Sequence, residues 1–138
     1  MGNVYINYLA VIVSAIVSMG LGALWYSPVL FGKQWMALMG IDPAKMQGSK
    51  EGMNKRYAIA FVGNLVMVYV LAHFVSYIGV TSVVAALQLG FWVWLGFVAT
   101  VTVGQVLWEG KSWKLYFILN SYQLLSLLIS AVILGTWK

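Results

Sequence analysis

The chain has no cysteine, two prolines and only three acidic residues among 138. Without cysteine there is no disulfide framework, no thiolate metal site and no redox clue to the compartment. Charge of either sign is scarce. Charged residues make up 8% of the chain, against about 25% in a soluble globular domain. Hydrophobic residues fill the gap at 62%, where soluble domains hold about 45–50%. A folded chain this short has too high a surface-to-volume ratio to hide so much apolar area from water. Its solvent is therefore mostly lipid.

Four windows are long and apolar enough to cross a bilayer, which takes about 20 residues as a helix: Val4 to Ser27, Tyr57 to Ile78, Val83 to Trp108, and Tyr116 to Trp137. Backbone amides inside lipid must be paired within the segment, so these runs are expected to be helices. The fold class is all-α, a single polytopic membrane domain over residues 1–138 with four helices in an antiparallel bundle. The interval Phe31 to Arg56 reads as a polar loop. A short interfacial turn is expected at Lys33 to Met39, and a second where "DPAK" offers Asp42 as N-cap and Pro43 at the first helical position.

The net charge of +5 comes from eight basic residues too dispersed to form a nucleic-acid stripe. Their placement speaks instead of topology. Lys33, Lys45, Lys50, Lys55 and Arg56 lie in the first loop, and Lys111 and Lys114 in the third; "SYIGVTS" in the second is uncharged, and only Lys138 stands at the end. Seven basic residues against one predicts a cell-membrane protein with loops 31–56 and 109–114 cytoplasmic and both termini outside. That bias argues against dual topology. The start "MGNVYINYLAVIV" lacks a basic n-region and a cleavage site, so it is expected to be retained as a helix. Ile6, where Ser or Thr is needed, argues against myristoylation.

At the cytoplasmic end of the first window stands "GALWYSPVLFGKQW". Trp25 and Tyr26 are expected to meet the headgroups as amphipathic rings do, Pro28 to end the helix, and Lys33 and Trp35 to anchor its exit. Trp113 fills the same role at the start of the fourth helix. The block has an echo, "LW…GKQW" at Leu24 to Trp35 and "LW…GKSW" at Leu107 to Trp113. Each is followed by K-x-Y and a helix bearing an asparagine, Asn64 or Asn120. The echo is compatible with two parallel hairpin repeats about an axis along the membrane normal. Chance is the competing reading, because aromatic-basic clusters arise at any cytoplasmic helix end.

Polar groups within the spans are the candidates for function. Ala10, Ser14, Ser18 and Gly22 recur every four residues on helix 1, extended by Asn3 and Asn7, and form a small-residue seam for close packing within the chain or between copies. On helix 2, Asn64 and His73 lie nine residues apart and so face opposite ways. His73, with Tyr69, Ser76 and Tyr77, reads as a hydrogen-bonded structural histidine before it reads as a ligand. Helix 3 aligns Gln88, Trp92, Ala99, Thr102 and Glu109, with Gln105 beside them; Glu109 is expected to pair with Lys111 or Lys114 or to cap the helix. Helix 4 aligns Tyr116, Asn120, Gln123 and Ser130. Amides stabilise interhelical contacts by about 0.6–2 kcal/mol each. If Asn64, Gln105, Asn120 and Gln123 converge, they would line a neutral polar cavity instead.

The shortage of acids excludes more. A proton-coupled exporter of the small multidrug-resistance type needs a carboxylate inside helix 1, and that helix is uncharged. No metal site is expected, since the chain holds one histidine and three acids. No cofactor is expected either: there is no phosphate-cradling loop, no Ser-His-Asp set and no H-E-x-x-H. His73 and the three acids are expected on opposite sides of about 25–30 Å of bilayer, which makes acid–base catalysis a poor expectation.

The stretches "GALWYSPVLFGKQWM", "WLGFVATVTVG", "LWEGK" and "ISAVILGTW" resemble a family of small, mostly bacterial four-span membrane proteins catalogued as a domain of unknown function. The W-Y-S-P-x-x-F-G-x-x-W block from Trp25 to Trp35 is the most specific part, and the resemblance covers nearly the whole chain. It implies the four-helix architecture and brings no activity, substrate or catalytic residue. It also implies a histidine in relatives near Gln123 and an asparagine near Gln105, so this chain lacks a titratable group there.

The sequence thus leads to an unassigned integral membrane protein. The first reading is a binding or transport unit for a small neutral or lipidic solute, working as a homo-oligomer because one four-helix bundle encloses little space. The alternative is a structural or accessory protein that binds membrane lipid or a partner transmembrane helix. An enzyme is the least favoured reading.

Overall fold

A computed structural model of the chain describes residues 4–40 and 50–137. Among these residues the fold is all-helical. Its elements are α1 (Tyr8–Trp25), α2 (Gly32–Met39), α3 (Lys50–Ile78), α4 (Val83–Trp94), a π-helical turn (Leu95–Ala99), the short α5 (Thr100–Thr102) and α6 (Gly104–Leu107), and α7 (Trp113–Thr136). Tyr8–Trp25, Asn54–Ile78, Val83–Leu107 and Trp113–Thr136 have the length and hydropathy of membrane spans. The turn at "DPAK" lies outside the described residues, as does Asn3.

Side-chain caps set several boundaries. The Asn7 oxygen accepts from the Ala10 N–H at 3.1 Å, so the first span begins at Tyr8 rather than Val4. Ser82 and Ser112 cap α4 and α7 through the Ala85 and Leu115 amides, at 3.2 and 3.1 Å, each satisfying one of the orphan donors of a helix start. This moves the fourth span's start from Tyr116 to Trp113. The second span's helix reaches back to Lys50 through what the charge count assigned to the loop. Solvated helical turns carry no hydropathy signal, so the window stopped where the apolar run did. The expected turn after Lys33 is present as α2.

The C-terminal helix α7 is the hub, packing against α1, α3 and α4, while α1 also packs on α3. Between lipid-solvated helices there is little hydrophobic driving force, so close van der Waals fit and interhelical hydrogen bonds carry the association. The helix 1 seam supplies both. Ala10, Ser14, Ser18 and Gly22 are all buried. The Tyr122 hydroxyl donates to the Ser18 carbonyl at 2.8 Å, and the Ser126 hydroxyl donates to Ser18 Oγ at 2.8 Å. A Cβ on Gly22 would stand 3.0 Å from the Tyr122 oxygen. The seam is therefore filled by α7 of the same chain.

The third span is not one straight helix. The π-helical turn widens the backbone after Trp94 and advances the register, which splits the face read from the sequence. Gln88 and Trp92 point away from the bundle and are exposed, whereas Ala99 is buried and Thr102 half-buried. The wider turn is held by neighbours: the Tyr116 hydroxyl donates to the Ala99 carbonyl at 2.7 Å, and Thr102 Oγ1 bonds the Val98 carbonyl at 2.8 Å.

The two hairpins differ in packing. A parallel pseudo-two-fold would relate the α1–α7 contact to the α3–α4 contact. The first is tightly packed, but α3 and α4 leave an apolar groove of about 350 Å³ between Met67, Leu71, Phe74, Val93 and Phe97, floored by Leu127. Nor are the two tryptophans of the echo alike, for Trp25 is half-buried and Trp108 is 86% exposed. The similarity is one of helix-end composition.

Candidate functional site

The Trp25–Trp35 block folds into a compact corner that shapes the site. Pro28 cannot continue a helix and disfavours helical geometry before it; α1 ends at Trp25 with Tyr26 as its C-cap. The chain then closes on itself. Phe31 N–H donates to the Trp25 carbonyl at 3.0 Å, Gly32 N–H to the Ser27 carbonyl at 2.8 Å, and Ser27 Oγ to the Leu24 carbonyl at 2.6 Å. Gly32 is required by space: a Cβ there would collide with the Tyr26 and Ser27 carbonyls. The Trp25 ring packs on Phe31 with centroids 4.8 Å apart, and Trp25 Nε1–H donates to the Ile118 carbonyl at 2.9 Å. Trp25 thereby ties α1 to α7. Lys33 and Trp113 are exposed.

Tyr26 has the more consequential position. Its ring lies 5.1 Å from Trp35 and 5.6 Å from Tyr122, centroid to centroid. These three rings form one wall of a cleft of about 840 Å³ at the charged-loop end of the bundle. Met19, Gly22 and Ala23 of α1 and Met36 of α2 continue that wall; Asn64, Met67 and Gln123 face it from α3 and α7. Arg56, Tyr57, Ala60 and Gly63 complete the α3 side and are exposed, so the cleft opens along that helix.

The four amides that the sequence offered as a cavity lining divide into two groups. Asn64 and Gln123 share the cleft. Asn120 does not: it is 4% exposed, its Nδ2 donates to the Tyr116 carbonyl at 2.9 Å, and its Oδ1 lies 2.9 Å from Thr102 Oγ1, whose one proton it shares with the Val98 carbonyl. Asn120 thus fastens α5 to α7. Gln105 is half-buried on α6 and outside the cleft lining, and Gln88 is exposed near the other end. His73 Nδ1 bonds the Tyr69 carbonyl at 2.9 Å, and its ring lies between Tyr69 and Tyr77. It belongs to a different face of α3 from Asn64. Among the described residues no three His, Cys, Asp or Glu side chains gather as a metal set would.

In the sequence Arg56 reads only as a topology charge. A signal for its role was present nonetheless. Arg56, Tyr57, Ala60, Gly63, Asn64 and Met67 follow the i, i+1, i+4, i+7, i+8, i+11 spacing of one helix face. The cleft holds amide and phenol hydrogen-bonding groups, one guanidinium and a largely apolar body. Such a mixture suits orientation of a ligand rather than bond-making, and the volume falls within the about 300–1,000 Å³ of small-molecule sites.

Fold and cleft together define a small four-span helical membrane protein with an amphipathic cleft at its charged-loop end. The chain belongs to the family described as Protein of unknown function (DUF1761), which matches it over residues 9–135. No curated protein and no solved structure matches it.

Proposed function

We propose that this protein is a membrane-embedded binding unit for a small solute or lipid, with the Asn64–Gln123 cleft as its site. The observation that carries the reading is that two intramembrane amides from different helices, Asn64 and Gln123, line one open cleft of about 840 Å³. An amide in hydrocarbon is costly unless it is paired. Asn120 differs in being buried and turned to α5, where it serves packing. In the orientation given by the positive-inside bias, the cleft opens in the cytoplasmic leaflet. A homo-oligomer would have to be built on a surface other than the helix 1 seam, which α7 occupies. Transport would require a second opening, so binding is the core of the reading.

The test is ligand-linked stability in neutral detergent. A ligand of the native state raises stability by RT ln(1 + [L]/Kd). Across a panel of membrane lipids and small neutral solutes, at least one compound should raise the Tm of the unaltered protein. That rise should disappear in Asn64→Leu and Gln123→Leu. A panel whose every shift survives both substitutions contradicts the proposal.

The structural or accessory reading draws on the groove between α3 and α4. It is lined by apolar side chains alone, which suits lipid tails or a partner transmembrane helix.

A further inference from the structure

We infer that the ligand of the cleft is an anionic amphiphile, a single acyl chain or one chain of a lipid, whose acidic head meets Arg56 while its chain lies over Met19, Met36 and Met67. The inference rests on the binding reading above and adds the charge and shape of the ligand.

Three observations lead to it. Among the described residues Arg56 is the single charged side chain lining the cleft, with no acid beside it there. Its guanidinium is permanently charged and suits bidentate pairing with a carboxylate or phosphate. Second, the polar groups are graded along α3. Arg56 and Tyr57 stand at the end nearest the charged loop, Asn64 two turns further in, and Met67 beyond it. A ligand matching that order has a charged head, a hydrogen-bonding neck and an apolar tail. Third, flexible thioethers of Met19, Met36 and Met67 come from three different helices to the apolar part. Methionine adapts to chains of variable shape. A neutral polar solute would leave both the guanidinium and this surface unmatched.

Bromine on an acyl chain quenches nearby indoles, and Trp35 lines the cleft. The protein is placed in bilayers of neutral phosphatidylcholine and titrated with brominated stearic acid or its methyl ester. Trp35→Phe identifies the cleft signal among the seven tryptophans. The acid should quench Trp35 saturably, with an apparent affinity about tenfold or more above the ester's, in keeping with a charge-assisted hydrogen bond. Arg56→Gln should abolish that preference, and Arg56→Lys, which keeps the charge, should retain most of it. Parallel bilayers with brominated phosphatidylglycerol or brominated phosphatidylcholine distinguish the source. Quenching by the first and not the second supports a phospholipid head, and quenching by the free acid supports a free chain.

Equal quenching by acid and ester, unmoved by Arg56→Gln, overturns the anionic assignment and leaves the cleft as a binding site. Absence of any saturable quenching of Trp35 overturns this inference while the Tm panel judges the binding reading separately.

Discussion

The Trp25 indole donates to the Ile118 carbonyl at 2.9 Å, and on another flank of α7 the Trp94 indole donates to the Asn120 carbonyl at the same distance. Both acceptors already belong to the α7 backbone ladder, so each takes a second donor on its other lone pair. The hub helix is pinned by α1 and α4 two residues apart. Trp25→Phe keeps most of the ring and removes the donor. It should cost about 1 kcal/mol, read as an earlier midpoint when the protein is unfolded by titrating sodium dodecyl sulfate into neutral micelles. An unchanged midpoint would mean the bond adds nothing.

Gly22 lets Tyr122 reach the Ser18 carbonyl. In Gly22→Ala the new methyl stands 3.0 Å from the phenol oxygen, so the ring must give by a few tenths of an ångström and strain its bond to the Ser18 carbonyl. The expected loss is about 1–3 kcal/mol, with the oligomeric mass in detergent unchanged because the seam is internal. In a Tyr122→Phe background the same substitution should cost less, since the two share one contact. Dissociation of an oligomer by Gly22→Ala would place the seam between subunits instead.

Gly32→Ala should be more severe than Gly20→Ala. At Gly32 the added Cβ meets backbone carbonyls that cannot turn aside, whereas at Gly20 nothing lies within 4 Å. A loss of about 3 kcal/mol or a failure to accumulate is expected for the first, and a neutral or slightly stabilising effect for the second. Comparable behaviour of the two variants would contradict the corner described for Trp25 to Trp35.

Tyr116→Phe removes the donor to the Ala99 carbonyl at the end of the π-helical turn. Amides of residues 95–102 should exchange hydrogen faster in the variant, with the centre of α7 unaffected. Uniform protection in both proteins would show that the wide turn stands without its hydroxyl partner.

Composition alone was enough to read four spans, because hydrocarbon solvent imposes long apolar helices. It was poor at the ends. Asn7 could have been recognised as a cap, but the extension of α3 back to Lys50 lies in polar sequence that hydropathy ignores. The π-helical turn left no trace in the residue pattern, so Gln88 and Trp92 were aligned with Ala99 and Thr102, from which the widened backbone separates them. The site was half legible. Asn64 and Gln123 stood out as intramembrane amides, yet a helical wheel cannot say toward which neighbour each face turns. Asn120 therefore looked equivalent to them until its partners on α5 and α7 were seen. Arg56 was hidden by its second use, since a basic residue at a helix end is already explained by topology.

The central claim, that an open, water-reachable cleft lies beside a dry packed bundle, is tested most directly with the chain's freedom from cysteine. Gln123→Cys and Asn64→Cys face the cleft, and Ser126→Cys, nearly isosteric and 1% exposed at the original serine, faces α1. Each is treated in membrane vesicles of either sidedness with a small, membrane-impermeant thiol reagent, with Lys33→Cys and Thr81→Cys, both at exposed positions, marking the two surfaces. The first two variants should react from the side that labels Lys33→Cys, and Ser126→Cys should remain inert. Inert Gln123→Cys and Asn64→Cys beside reactive surface markers would contradict it, leaving a sealed bundle with no site at that end.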